Sequence, residues 1–225
     1  MGASPTEPAD AFHAHLDKCS RCRNKPLNLC AEGSPLLLAT NKGPPQELGQ
    51  QKDGPLVEYQ QDAIRSWGCT SDLKFDLQIL QLGLVGEAGE VADLIKKIEG
   101  HGHPPDPEKL IKELGDVLWY VAVLHHALDL KGRKPKPLHA EKRRTGDPPG
   151  GSIQNAIALC ISTSDLVQYI AGMESDFGVI LMIIKEMAEA SGSTLHGVAQ
   201  GNILKLKQRY PDGFSSQASQ RRADT

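Results

Sequence analysis

Two apolar stripes dominate the middle of the chain. Leu77, Leu80, Leu84, Val91, Ile95 and Ile98 recur at spacings of three, four and seven, which predicts a long amphipathic helix opening after the cap-like pair Ser71-Asp72. The run EGHGHPPDPEK breaks it with glycine and proline. Leu110, Leu114, Val117, Val121, Leu124 and Leu128 then alternate steps of four and three, the mark of a helix packed closely on another. Upstream, LVEYQQDAIRSWG predicts a short amphipathic helix ending at Gly68, with Tyr59, Ile64 and Trp67 on its apolar side. Helical patterning returns over 152–190 as SIQNAIALCISTSDLVQYIAG and FGVILMIIKEMAEASG. A last helix follows Ser193-Thr194, packs through Ala199, Ile203, Leu206 and Tyr210, and stops at PDGF. The expected fold class is all-α, a helical bundle.

The polar positions add chemistry to this frame. Glu87 and Glu90 flank the first stripe, and Glu113 and Asp116 flank the second, with Tyr120 next in line. Residues three apart share a helix face, so antiparallel packing would bring four carboxylates together. Such a cluster repels itself unless cations neutralise it, and hard oxygen ligands suit Mg²⁺ completed by phosphate. A single E-x2-E pair usually means a solvated helix face; the second pair on the next helix argues against that here. Gly86, Ala88 and Gly89 surround the first pair. Three small residues beside two acids imply either a close backbone approach or room for a ligand, since each helical glycine costs about 1 kcal/mol relative to alanine. Asp93 extends the acidic face, followed by Lys96 and Lys97. In the last helix Asn202, Lys205 and Arg209 share a face, an amide, ammonium and guanidinium set suited to phosphate oxygens.

Composition then narrows the setting. The chain has 225 residues and a net charge of −3, which gives no reason to expect nucleic-acid or anionic-membrane binding. No apolar run approaches the roughly 20 residues of a membrane span, and the N-terminus lacks a signal-peptide pattern, so a cytoplasmic setting is expected. Of the 5 cysteines, Cys19, Cys22 and Cys30 crowd near His15 as H-x3-C-x2-C-x7-C. That spacing suits one tetrahedral Zn²⁺, or else chance neighbours in a reduced chain. The expected layout is a disordered leader at 1–11, a possible zinc-binding module at 12–39, and a Gly/Pro-rich linker at 40–55. A helical domain at 56–214 follows, with an inserted basic loop at 131–151 and extra helices at 152–190. The tail at 215–225 is expected to be disordered. Shifted by 75 residues, Leu84, Glu87, Glu90 and Ile95 fall on Leu159, Ser162, Asp165 and Ile170. This is either a decayed duplicate or two hairpins aligned by pattern alone.

The combination GEAGEVAD…KELGDVLWYV, ending in GNILKLKQRYPDGFS, resembles the MazG-like all-α nucleoside triphosphate pyrophosphohydrolases, over roughly 56–130 and 193–215. The resemblance implies cleavage of a (d)NTP into (d)NMP and pyrophosphate with Mg²⁺, or Mn²⁺ in its place. It implies a homo-oligomer, dimer or tetramer, with a nucleoside triphosphate as partner and neither nucleic acid nor membrane. Carried over by position, Glu87, Glu90, Glu113 and Asp116 are metal ligands. Glu87 or Glu90 positions or deprotonates the attacking water. Lys97, Tyr120, Asn202, Lys205 and Arg209 contact substrate, with Trp67 and Trp119 as further stacking candidates. The stretch 131–190 departs from the family pattern, in which many members turn directly into the last helix. Two alternatives stand beside this reading: a zinc-containing regulatory protein that uses the helices as scaffold, or a hydrolase of a modified nucleotide or alarmone.

Overall fold

The central hairpin forms because two long helices meet at a short, well-capped break. In the computed structural model of the protein, α1 spans Val57–Arg65, α2 Leu73–His101, α3 Pro107–Leu130, α4 Ser152–Tyr169, α5 Phe177–Ala190 and α6 Leu195–Arg209. The structure describes residues 18, 56–132, 138–142, 150–169 and 177–215. Among these there are helices and turns but no strand. The proposed zinc ligands His15, Cys19, Cys22 and Cys30, the leader, the linker and most of the inserted loop and tail lie outside the described residues.

The sequence signals sit where the helices start and stop. Asp72 caps α2, its carboxylate accepting from the backbone of Lys74 and Phe75 at 2.9 and 3.2 Å. Asp106 caps α3 by accepting from Lys109 N at 2.9 Å, with Pro107 at the first turn. Both satisfy backbone donors that an α-helix leaves orphaned at its N-terminus. Between the two helices Gly102 turns the chain with φ +71°, a left-handed conformation that costs glycine nothing. Thr194 caps α6 through Gly197 N at 2.9 Å. The first helix ends at Arg65, three residues before the glycine expected to stop it. The connection beyond is anchored by buried Asp76, which accepts from Thr70 N and Oγ1 at 2.9 and 2.8 Å.

Every apolar position of the two central stripes is buried, from Leu77 at 3% exposed to Leu128 at 4%. α3 is the axis of the molecule, packing against α1, α2, α5 and α6. α2 runs antiparallel to α3, with Tyr120 against Gly83 and the acids 113 and 116 against Glu87. α4 runs antiparallel along the other side of α2, where Ser152 Oγ donates to Glu99 at 2.6 Å and Cys160 Sγ to Ala88 O at 3.6 Å. α5 packs on both α4 and α3. Helices α2 to α5 therefore close a four-helix core within one chain, and the extra helices at 152–190 form half of it. Leu159, aligned with Leu84 by the 75-residue shift, is fully buried like its counterpart; Asp165, aligned with Glu90, is exposed.

α1 and α6 cover the remaining side of α3. Trp119 Nε1 donates to Ala63 O and Ser66 Oγ at 3.2 and 2.8 Å, fastening the end of α1. Gln60 donates to Ala122 O at 2.9 Å and meets His125 Nδ1 at 3.0 Å. His125 is buried against the Phe177 ring, 5.2 Å between centroids, and so fills the core. The PDGF stop folds back on the α1–α2 connection: a Cβ on Gly68 would lie 2.2 Å from the Phe214 ring.

Candidate active site

The antiparallel register of α2 and α3 determines which acids meet. Glu87, Glu113 and Asp116 offer carboxylate oxygens within 4.8 Å of one another, all three side chains half-buried. Glu90, expected as a fourth member, is exposed one turn further along α2 and outside that triangle. It remains near enough for its charge to act on Glu113. Burial first, then the negative charges of Asp116 and Glu90, push the Glu113 carboxyl up from its ordinary range, while Lys109 and Lys205 oppose the shift. Three converging carboxylates with too little positive charge between them form a donor set that a hard divalent cation fits.

α6 supplies the positive counterpart. Lys205 Nζ forms an ion pair with Asp116 Oδ1. Asn202 Nδ2 donates to the same oxygen at 3.2 Å. The close approach depends on Gly115, where an added Cβ would stand 3.1 Å from Asn202 Cβ. Asn202 was expected on a polar face with Lys205 and Arg209, yet it is only 4% exposed. Its carbonyl accepts from Tyr59 Oη at 3.0 Å. Arg209, half-buried, sits two turns beyond Asn202, about 10 Å along the helix.

The glycines around the acids answer two different needs. Gly86 and Gly89 face open space, with nothing within 4 Å of an added Cβ, so of the two meanings the sequence allowed they have the one of room beside the acids. Ala88, between them, is buried, and its carbonyl accepts from Cys160. Gly83, in contrast, is covered by the Tyr120 ring, 2.1 Å from where its Cβ would be. Tyr120 thus lies one turn from Glu87, half-buried and edge-on to Trp119 at 4.8 Å. Trp119 is committed to α1 through its indole N–H. Trp67 sits edge-on to His126 at 6.2 Å.

Lys97 stands apart from the triangle, about 15 Å of helix beyond Glu87. It pairs with Asp93 at 2.6 Å, as does Lys96. The two lysines hold the exposed Asp93 carboxyl down at about 2. His101 and His103 lie on the exposed turn after α2, their rings 6.4 Å apart.

Tyr59 is the residue that sequence reasoning placed only on a packing face. It is buried, and its phenol is pushed well above the ordinary range by that burial and then by the Asp116 charge. A hydroxyl among apolar neighbours was the available signal, because a buried phenol requires a hydrogen-bond partner.

Comparison with known proteins bears on the segment that holds the acids. Residues 75–133 match the family model of the MazG nucleotide pyrophosphohydrolase domain. The segment contains α2, α3 and all four acids. Among curated proteins the chain is similar to the Gene 37 protein of Mycobacterium phage L5, 47% identical over 58 residues. Those residues make up 24% of this chain and 51% of the phage protein, so the chain spans about half the length of the relative it matches. No solved structure matches.

Proposed function

We propose that this chain, whose residues 75–133 carry a MazG nucleotide pyrophosphohydrolase domain, hydrolyses a nucleoside triphosphate to its monophosphate and pyrophosphate with the help of Mg²⁺. The observation that carries the reading is the triangle Glu87, Glu113 and Asp116 within 4.8 Å, flanked by Lys205 and Asn202 from a helix outside the matched segment.

Glu87, Glu113 and Asp116 would hold the cation, with Glu90 positioned one turn away to join them. Bound there, Mg²⁺ supplies charge neutralisation at the phosphates and a more acidic water. The protein's own groups do the rest. Glu90 is exposed and Glu87 half-buried, so either carboxylate can orient a water for in-line attack on the α-phosphorus and take its proton. Lys205 lies within reach of both the acids and an incoming triphosphate, and its ammonium shields the charge of the departing pyrophosphate. The open face at Gly86 and Gly89 leaves space for substrate, and Tyr120 borders the acids with an aromatic surface. Arg209 and Lys97 stand further out and meet a triphosphate only at its periphery. Positioning and electrostatics supply most of the rate in this scheme, and no covalent nucleophile is needed.

Incubation with the common (d)NTPs and Mg²⁺, scoring pyrophosphate, tests the reading. Glu87→Gln and Asp116→Asn should each reduce pyrophosphate release by at least about 10- to 100-fold, the scale already reached by losing a group that only supports a metal ligand, with helical content unchanged. Silence of the wild type across the panel would reject ordinary (d)NTPs and turn attention to modified nucleotides or to a regulatory role.

A further inference from the structure

We propose that Tyr59 is a positioning residue for the acid cluster, acting through Asn202 to hold Asp116 in its cation-binding orientation. The inference rests on the reading of the cluster as a cation site, and it adds a residue from α1, outside the matched segment.

Three helices meet in one line of hydrogen bonds. Tyr59 Oη on α1 reaches Asn202 Oδ1 on α6 at 3.0 Å, and Asn202 Nδ2 reaches Asp116 Oδ1 on α3 at 3.2 Å. Chemistry dictates the direction of the chain. A carboxylate only accepts, so the NH₂ of the asparagine must face Asp116, and its carbonyl is left to accept from the phenol. Tyr59 and Asn202 are 7% and 4% exposed, so water cannot replace either partner easily. Both protein donors to Asp116, Asn202 and Lys205, land on Oδ1.

Without the phenol hydroxyl, the Asn202 carbonyl loses its partner and the amide is free to turn. A turned amide would present its own oxygen to Asp116 and repel it. Glycine at 115 makes this close approach possible, since an added Cβ would stand 3.1 Å from Asn202 Cβ. Tyr59 touches neither cation nor substrate in this account; it fixes which end of the amide the acid sees.

The test measures Mn²⁺ binding by electron paramagnetic resonance of the free ion, on the full chain without nucleotide. Proteins compared are wild type, Tyr59→Phe, Asn202→Ala and the double variant. Tyr59→Phe should weaken Mn²⁺ binding roughly tenfold, as loss of a group supporting a metal ligand commonly does, and should add nothing once Asn202 is already alanine. Wild-type affinity in Tyr59→Phe, or a further loss in the double variant, would overturn the proposal while leaving the cluster as a cation site. Absence of Mn²⁺ binding by the wild type would overturn both the cation-site reading and this one. Should Tyr59→Phe fold poorly, the wild type alone still decides. The Asn202 side-chain amide resonances should shift when Mg²⁺ is added, and resonances that stay fixed would overturn the relay.

Discussion

Glu113 gives the most direct residue-scale test of how much repulsion the folded chain tolerates for its site. Burial and two neighbouring carboxylates raise its pKa, so between the unfolded and folded values the native state binds more protons than the unfolded state. Stability of the cation-free protein therefore falls as pH rises through that window, starting near the ordinary glutamate value, and the loss persists at neutral pH. Glu113→Gln removes the liability. Its melting temperature without divalent cations should exceed that of the wild type at pH 7.5, with the difference closing as pH falls through the raised value and gone by about 4.5. Added Mg²⁺ should narrow the gap from the other side by stabilising only the wild type. A gap independent of both pH and Mg²⁺ would mean that Glu113 is not under charge stress. Of the four acids that flank the two apolar stripes, Glu87, Glu113 and Asp116 meet and Glu90 stays outside, because spacing reveals a shared helix face but not the register between two helices. From the sequence, Asn202 is a substrate contact on a phosphate-facing side and Tyr59 a packing residue, whereas the structure buries both in one hydrogen-bonded pair. The pattern on one helix cannot reveal a hydrogen bond to another when 143 residues separate the partners.

At the scale of elements, α2 has glycines of opposite kinds, and substitution separates them. Gly86 and Gly89 face open space, so alanine there should gain the usual helix-propensity benefit of about 0.5–1 kcal/mol each, visible as a raised melting temperature. If the open face admits substrate, the same variants should bind (d)NTP more weakly; a stabilised enzyme with unchanged KM would show that the face is not used. Gly115→Ala on α3 should behave differently. Its Cβ would press on Asn202 at 3.1 Å, so the propensity gain is offset by displacement of the amide, and activity should fall several-fold more than stability. The helix boundaries here were readable because caps are local: Asp72, Asp106 and Thr194 act on backbone groups two or three residues away. α1 ends three residues before Gly68 because Ser66 Oγ turns back to Ala63 O at 2.7 Å while Trp119 fastens the same two residues from α3, a combination that no glycine marks in the sequence.

The molecule as a whole closes its own four-helix core, yet leaves an apolar face uncovered. Phe75, Ile79 and Leu82 on α2 and Ile153, Ile157 and Ile161 on α4 are between 47% and 71% exposed. The antiparallel register, set by Ser152 against Glu99 and Cys160 against Ala88, puts Ile161 level with the Gly86–Glu90 turn and the other two isoleucines further toward the end of α2, so the stripes follow one another along the hairpin. Six large apolar side chains left in solvent along two packed helices are the kind of surface that an interface covers. We propose that this α2–α4 face would serve a homodimer, the oligomer that the resemblance leads one to expect. Leu82→Glu combined with Ile157→Glu should convert the dimer to a monomer by light scattering at micromolar concentration, with helical content intact because both side chains point outward. A wild type that is already monomeric, or a double variant of unchanged mass, would reject the interface. Glu87, Glu113, Asp116, Asn202 and Lys205 all come from one chain, because α4 and α5 complete the core without a second copy. The monomeric variant should accordingly keep most of its pyrophosphate release per chain, and loss of turnover in step with mass would instead place part of the site across the dimer.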